Sequence, residues 1–154
     1  MSIVQTLAKT TLEGGLQMLR LTGVSQEQLR KTEGALVPIV PLGAEHQADI
    51  QKHLLALSEH DRYLRFGYTA TDDHIQRYVD GLNFERDEIY GIFNTSLEII
   101  AMAHLALMKD EGREANSEFG VSVSAHARGR GYGARLFDRA VIHARNEKVY
   151  QMYI

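Results

Sequence analysis

Cysteine is absent from this chain of 154 residues, and proline occurs only twice. Without thiols the protein has no disulfides, no thiolate metal ligands and no cysteine nucleophile. The lack of cysteine agrees with a reducing compartment, and the first residues lack the basic start and apolar block of a secretory signal. We therefore expect a cytoplasmic protein.

A large excess of charge of one sign is also missing, as are long apolar runs. The formal net charge is -3, and 24% of the residues are charged. This balance does not favour nucleic acid or an anionic membrane as a partner. No apolar run approaches the roughly 20 residues that a membrane-spanning helix needs. The hydrophobic content of 44% and the length instead fit one globular domain with its own core.

Both prolines lie in the β-rich segment 36–41, which they restrict to an edge strand. Residues 1–34 differ from the rest of the chain, because their leucines keep helical spacing without joining the later pattern. We predict an N-terminal helical extension at 1–34, which packs on the domain or on a partner, and a domain at 35–154. A dimerisation or regulatory helix is the alternative interpretation of the extension.

The remaining pattern predicts the element order β-α-α-β-β-β-α-β. Hydrophobic periodicity and turn signals place these elements at strand 36–41, helix 44–58, a helix capped by Asp72 or Asp73, strands 88–93 and 97–107, a strand from 118, helix 131–146 and a strand from 149. Segment 59–71 is predicted as a polar, aromatic connection. Consecutive middle strands predict an antiparallel meander, and the last strand-helix-strand unit predicts a parallel crossover. The fold class is therefore a mixed α/β sheet, neither doubly wound nor a barrel.

Residues 118–134 are the most informative stretch. An alternating strand leads into a loop with two arginines and three glycines, and an amphipathic helix comes next. Free N–H groups and the positive end of the helix dipole make such a junction an anion site, most often for phosphate. The alternative interpretation is a glycine-rich turn without a ligand.

Two common phosphate motifs do not fit this loop. No Gly-Lys-Ser/Thr is present after it, which excludes a Walker A sequence, and the glycines are spaced two apart rather than as Gly-x-Gly-x-x-Gly. A dinucleotide fold is also disfavoured, because no long βαβ series surrounds the motif.

The stretch Arg128-Gly129-Arg130-Gly131-Tyr132-Gly133, continued by Ala134, resembles the signature of the acyl-CoA N-acyltransferase superfamily known as GNAT. That signature is Arg/Gln-x-x-Gly-x-Gly/Ala between a strand and a helix. The resemblance implies acetyl-CoA or another acyl-CoA as donor and an amine as acceptor. It implies that the loop holds the pyrophosphate through Arg128, Gly129, Arg130, Gly131, Tyr132, Gly133 and Ala134. It also implies that the pantetheine arm adds to the backbone of Val121, Ser122 and Val123.

Two residues are candidates for the base that deprotonates the amine. Glu118 begins the signature strand, with a solvated strand-end carboxylate as the alternative interpretation. His104 lies inside a predicted strand and has a near-neutral ordinary pKa, with a hydrogen-bonded core histidine as the alternative. His46 and His53 fall on one predicted helix without a carboxylate pattern, so we predict no metal. Segment 58–66 lies where relatives form the acceptor pocket, although an exposed loop anchored by Tyr63 and Phe66 is the simpler interpretation.

Compared with the family pattern, the sequence is expected to lack a last helix and two strands. We therefore expect weak or no activity of this chain, and self-association, for example as a homodimer, through an open sheet edge. Two other functions stay open from the sequence: a CoA-binding sensor without catalysis, and a nucleotide or RNA binder. The folded setting of the loop and the net charge of -3 argue against the latter.

Overall fold

The computed structural model describes residues 37–108 and 115–154. The predicted extension at 1–34, and most of the predicted polar turn before the signature strand, lie outside these ranges. The described elements, in chain order, are β1 (Val40–Pro41), α1 (Gln47–Leu55), α2 (Glu59–Phe66), α3 (Asp72–Asp80), β2 (Glu88–Phe93), β3 (Ile99–Met108), β4 (Asn116–Val123), α4 (Tyr132–Asn146) and β5 (Gln151–Tyr153). Short 3-10 turns precede α1 and α4.

The five described strands form one sheet in the order β1-β2-β3-β4-β5. Strands β1 to β4 run antiparallel, whereas β5 pairs parallel to β4 through the α4 crossover. The mixed α/β sheet, its central meander and its parallel crossover are confirmed. The proline-containing strand is at the sheet edge as expected, but it is only two residues long.

Hydrophobic residues cover both faces of the sheet. On one face Leu136, Ala140 and Ala144 of α4 pack on β2 to β4 in the first core cluster. On the other face, helices α1 and α3 contribute Ile50, Leu54, Ile75 and Val79 to a second cluster. Alternate residues of a strand point to opposite faces, so β4 sends Phe119 to the α4 side and its even-numbered neighbours to the α1–α3 side.

Segment 59–66 was predicted as part of a connection, and this prediction is wrong. The Ser58 side chain accepts from the Asp61 N–H and starts α2, and Gly67 ends it with a φ of 80°. No residue of α2 is fully buried, and most of its residues are charged or polar, so the segment resembles a solvated connection in the sequence. Tyr63 is 54% exposed and anchors nothing, whereas Phe66 packs on the second core cluster.

Smaller corrections have local causes. Helix α3 is capped by Thr71 rather than by Asp72 or Asp73, because Thr71 and His74 exchange reciprocal side-chain-to-backbone hydrogen bonds. Strand β3 begins at Ile99 rather than at residue 97, because Leu97 lies in a turn with a φ of 61°. The side-chain oxygen Oδ1 of Asn94 organises that turn by accepting from the N–H groups of Ser96 and Glu98.

Candidate functional site

The loop between β4 and α4 is built by two glycines in the left-handed region. Gly129 has a φ of 77° and Gly131 a φ of 79°, and a Cβ on either would meet no atom within 4 Å. Glycine is therefore required by the backbone conformation at both positions, and the space in front of them is open. Ala127, which is 1% exposed, fixes the start of the loop in the α4-side core.

The N-terminus of α4 is uncapped. Gly131 provides no side-chain cap, and the first intrahelical hydrogen bond runs from the Arg135 N–H to the Gly131 oxygen at 3.1 Å. Within residues 37–108 and 115–154, the N–H groups of Tyr132, Gly133 and Ala134 have no acceptor. These donors and the helix dipole make the junction suited to an anion.

Gly133 and Tyr132 differ in what surrounds them. A Cβ at Gly133 would meet only the Val123 side chain, at an ordinary 3.9 Å, although glycine in a helix costs about 1 kcal/mol relative to alanine. Nothing in the described structure requires glycine at position 133. A ligand that approaches the backbone closely would require it, because a Cβ would stand in the way. The Tyr132 ring is 8% exposed and packs into the α4-side core, as expected for a packing role.

The two loop arginines have different surroundings. Arg128 is half-exposed and forms an ion pair with Asp61 of α2, and its hydrogen bond holds the pKa of Asp61 below the ordinary value. Arg130 is exposed and lines a separate hollow beside Tyr132 and the β2–β3 turn. Arg128 thus links the loop to α2, and Arg130 is the loop cation without an acidic partner among the described residues.

A cleft of about 350 Å³ lies between α2 and β4. Four predicted binding residues line one wall, namely Val121, Ser122, Val123 and Arg128. The opposite wall is formed by Leu57 and by residues of α2, including His60 and Leu64. Strand β5 pairs only with Asn116–Glu118, so among the described residues the outer edge of β4 has no strand partner along this wall.

His53 fixes the cleft wall from behind. Its side chain is buried, with Nδ1 3.1 Å from the Ile99 oxygen and Nε2 2.8 Å from Ser122 Oγ. Burial lowers the pKa of His53 to about 4, so the ring is neutral at pH 7, and Nδ1–H donates to Ile99 while Nε2 accepts from the Ser122 hydroxyl. His46 lies apart in the 3-10 turn, where its Nδ1 accepts from the Gly43 N–H.

His104 belongs to a buried hydrogen-bonded chain. Its Nε2 is 2.8 Å from Asp87 Oδ2, and its Nδ1 is 2.5 Å from the Tyr78 hydroxyl. Burial lowers the pKa of His104, although Asp87 opposes this effect. Both ring nitrogens of His104 therefore have hydrogen-bond partners. This arrangement agrees with the alternative interpretation, in which His104 is a hydrogen-bonded core histidine. Sequence reasoning missed Tyr78 and Asp87, because their separations from His104 along the chain leave no local pattern.

Glu118 is exposed on β4, on the face that carries His104 and Gly120. No ion pair or hydrogen bond joins Glu118 to another described residue. Burial raises the pKa of the Tyr78 hydroxyl, and the negative charges of Asp87 and Glu118 raise it further. The structure thus brings Glu118 near the His104 chain but leaves its carboxylate open to solvent.

Comparisons with known proteins agree with this arrangement. The sequence model of the acetyltransferase (GNAT) family matches residues 54–154, which is most of the chain. The chain therefore belongs to the GNAT acetyltransferase family. No curated protein gave a significant match.

Solved structures share the fold. A possible acetyltransferase from Clostridium difficile 630 is 15% identical, with a TM-score of 0.58, over 77% of this chain and 78% of that one. Glucosamine-6-phosphate N-acetyltransferase from Arabidopsis thaliana is 16% identical, with a TM-score of 0.53, over 76% and 80%. A protein described as a transcriptional regulator from Bacillus halodurans C-125 is 18% identical, with a TM-score of 0.56, over 77% and 80%.

Family membership implies acyl transfer, and GNAT proteins generally use acetyl-CoA as the donor. Over residues 37–108 and 115–154, every helix is too short or too polar to cross a membrane. Within the same ranges, no three histidine or acidic side chains are grouped as a metal site would require. The predicted lack of a metal stays a prediction.

Proposed function

We propose that this protein transfers an acetyl group from acetyl-CoA to a primary amine, by direct attack of the amine on the bound thioester. One observation carries the proposal: an uncapped helix N-terminus with two left-handed glycines opens beside a cleft that runs along the edge of β4. A phosphate site thus continues into a groove for an extended arm, which is the shape of the donor.

In this proposal the loop binds the pyrophosphate. The N–H groups of Tyr132, Gly133 and Ala134 donate to phosphate oxygens, and Arg130 adds positive charge. The pantetheine amides pair with the backbone of Val121, Ser122 and Val123, as an added strand pairs with a sheet edge. His53 supports this wall by holding Ser122 in place.

The chemistry needs a neutral amine and a stabilised oxyanion. We assign proton removal to Glu118, directly or through water, because both nitrogens of His104 are already hydrogen-bonded. The tetrahedral oxyanion is assigned to a backbone N–H of β4 near Val123. His104 then serves to position neighbouring side chains.

Calorimetric titration with acetyl-CoA, ATP and NAD tests the donor. We expect acetyl-CoA to bind and Gly131→Asp to abolish binding, because its carboxylate would occupy the anion site. Gly67→Asp is the matched control, since Gly67 also has a left-handed φ of 80° with no atom near its Cβ position. Tight binding of ATP without acetyl-CoA, or equal affinities of the two variants, would contradict the proposal.

Catalysis is tested separately from binding. Free thiol release and mass spectrometry of the products should show acetyl transfer to an amine in a screen of small amines and peptides. Acetyl-CoA binding without transfer to any amine would favour a non-catalytic CoA sensor.

A further inference from the structure

Arg65 differs from its neighbour Arg62 on the same helix. The Arg62 guanidinium donates to the carbonyl oxygens of Leu55, Leu57 and Ala70, and it also pairs with an aspartate at 2.8 Å. Among the residues that the structure describes, Arg65 makes one hydrogen bond, to the Tyr78 hydroxyl at 2.8 Å. No described carboxylate pairs with Arg65, so a half-buried guanidinium retains most of its donors for another acceptor.

The Arg65 guanidinium lies directly over a glycine in β4. A Cβ at Gly120 would overlap the guanidinium, so the glycine leaves room for the side chain in this position. Residues two apart on a strand share a face and lie about 7 Å from each other. The guanidinium therefore lies over β4 between Glu118 and the cleft residue Ser122.

A buried chain holds the guanidinium in place. Arg65 donates to the Tyr78 oxygen, Tyr78 O–H donates to His104 Nδ1, and His104 Nε2–H donates to Asp87. The Arg65 Cζ also lies 4.8 Å from the ring centre of Phe66 and 5.3 Å from that of Tyr78. Arg65 is thus preorganised, and its rotamer does not have to be selected when a ligand binds.

The ligand that fits a single, planar, partly desolvated guanidinium is a carboxylate, which it binds through two parallel hydrogen bonds. A phosphate dianion is disfavoured, because Glu118 lies next along the strand face and Arg62 and Arg128 are already paired. We propose that Arg65 binds the carboxylate of the acceptor, and that the acceptors are amines with a nearby carboxylate, such as α-amino acids. This inference rests on the proposed function.

Paired acceptors test the proposal. Acetyl transfer is measured with L-amino acids and with their carboxamides, which lack the carboxylate, and each variant is compared with the wild type on the same acceptor. Arg65→Gln should raise KM for the acids by at least about tenfold and leave the amides nearly unchanged. Arg77→Gln, at an exposed position on α3, is the matched control and should change neither KM. Equal effects of Arg65→Gln on acids and amides would overturn the proposal.

Tyr78→Phe tests the positioning of Arg65. It removes the hydroxyl but keeps the ring, so it should raise KM for the acids less than Arg65→Gln does. It should also lower the urea midpoint of unfolding, because buried His104 Nδ1 loses its hydrogen-bond donor. An unchanged KM for the acids would contradict the positioning of Arg65 by the buried chain.

Binding measurements distinguish this inference from the proposed function. The Arg65 side-chain N–H signal, assigned by NMR with Arg65→Gln, should shift on titration with the L-amino acids and not with the amides. A missing shift overturns the inference, whether or not transfer occurs. Failure of acetyl-CoA to bind would overturn the proposed function alone. A loss of acetyl-CoA affinity in Arg65→Gln would place Arg65 in the donor site and reject it as an acceptor residue.

Discussion

Lowering the pH should destabilise the protein through His53. Burial lowers the pKa of this side chain from 6.5 to about 4, so the folded protein keeps it neutral while the unfolded chain protonates it. Between pH 6.5 and pH 4 the unfolded state therefore binds more protons, and stability falls as the pH falls. Below about pH 4 both states are protonated, and this contribution no longer changes.

The two pKa values set the size of the effect. Relative to neutral pH, the shift costs about 2 kcal/mol at pH 5 and about 3 kcal/mol at pH 4. Domains of this size have total stabilities of about 5–15 kcal/mol, so the change should be readily measured.

Urea denaturation at pH 7 and pH 5 measures the change, with His53→Gln as the reference. Glutamine does not titrate, and its amide group can replace the hydrogen bonds to Ile99 and Ser122. The free energy of unfolding should fall by about 2 kcal/mol more for the wild-type protein than for the variant. His60→Gln, on the exposed side of α2, should behave like the wild type. Parallel decreases in the wild type and His53→Gln would refute the reasoning.

Two further substitutions test the α2 tether and the α3 cap. Asp61→Asn removes a carboxylate beside Arg128 and should strengthen acetyl-CoA binding several-fold by calorimetry, at a stability cost of at most about 1 kcal/mol. An unchanged affinity would mean that Arg128 does not act on the donor. Thr71→Ala should lower the free energy of urea unfolding by about 1 kcal/mol, because the cap to His74 is lost, whereas the exposed Thr69→Ala should not. Equal losses in both would contradict the cap.

The elements of the sheet were predictable where a single segment carries its own pattern. In the first half of β4, buried Ser117 and Phe119 flank exposed Glu118, and α4 repeats its apolar residues every three or four positions. Two left-handed glycines at their junction complete the pattern, which is why the loop, the strand and the helix were found together.

Helix α2 was missed for the opposite reason. Its residues are mostly polar, and its start and end depend on the Ser58 and Gly67 caps rather than on a buried face. The Arg65–Tyr78–His104–Asp87 chain was also missed, because it joins residues that meet only after α2, α3 and the sheet have packed. Periodicity describes a segment's own environment and carries little information on such long-range polar contacts.

Alternate residues of β4 lie on opposite faces of the sheet and have different roles. Phe119 stacks edge-on against Phe137 of α4, so substitutions at this position should be detected as unfolding. Glu118 and Gly120 face the other side and contribute little to the core. Under the proposed role of Arg65, substitutions at position 120 should change acceptor preference, while the packing that holds the donor loop stays intact.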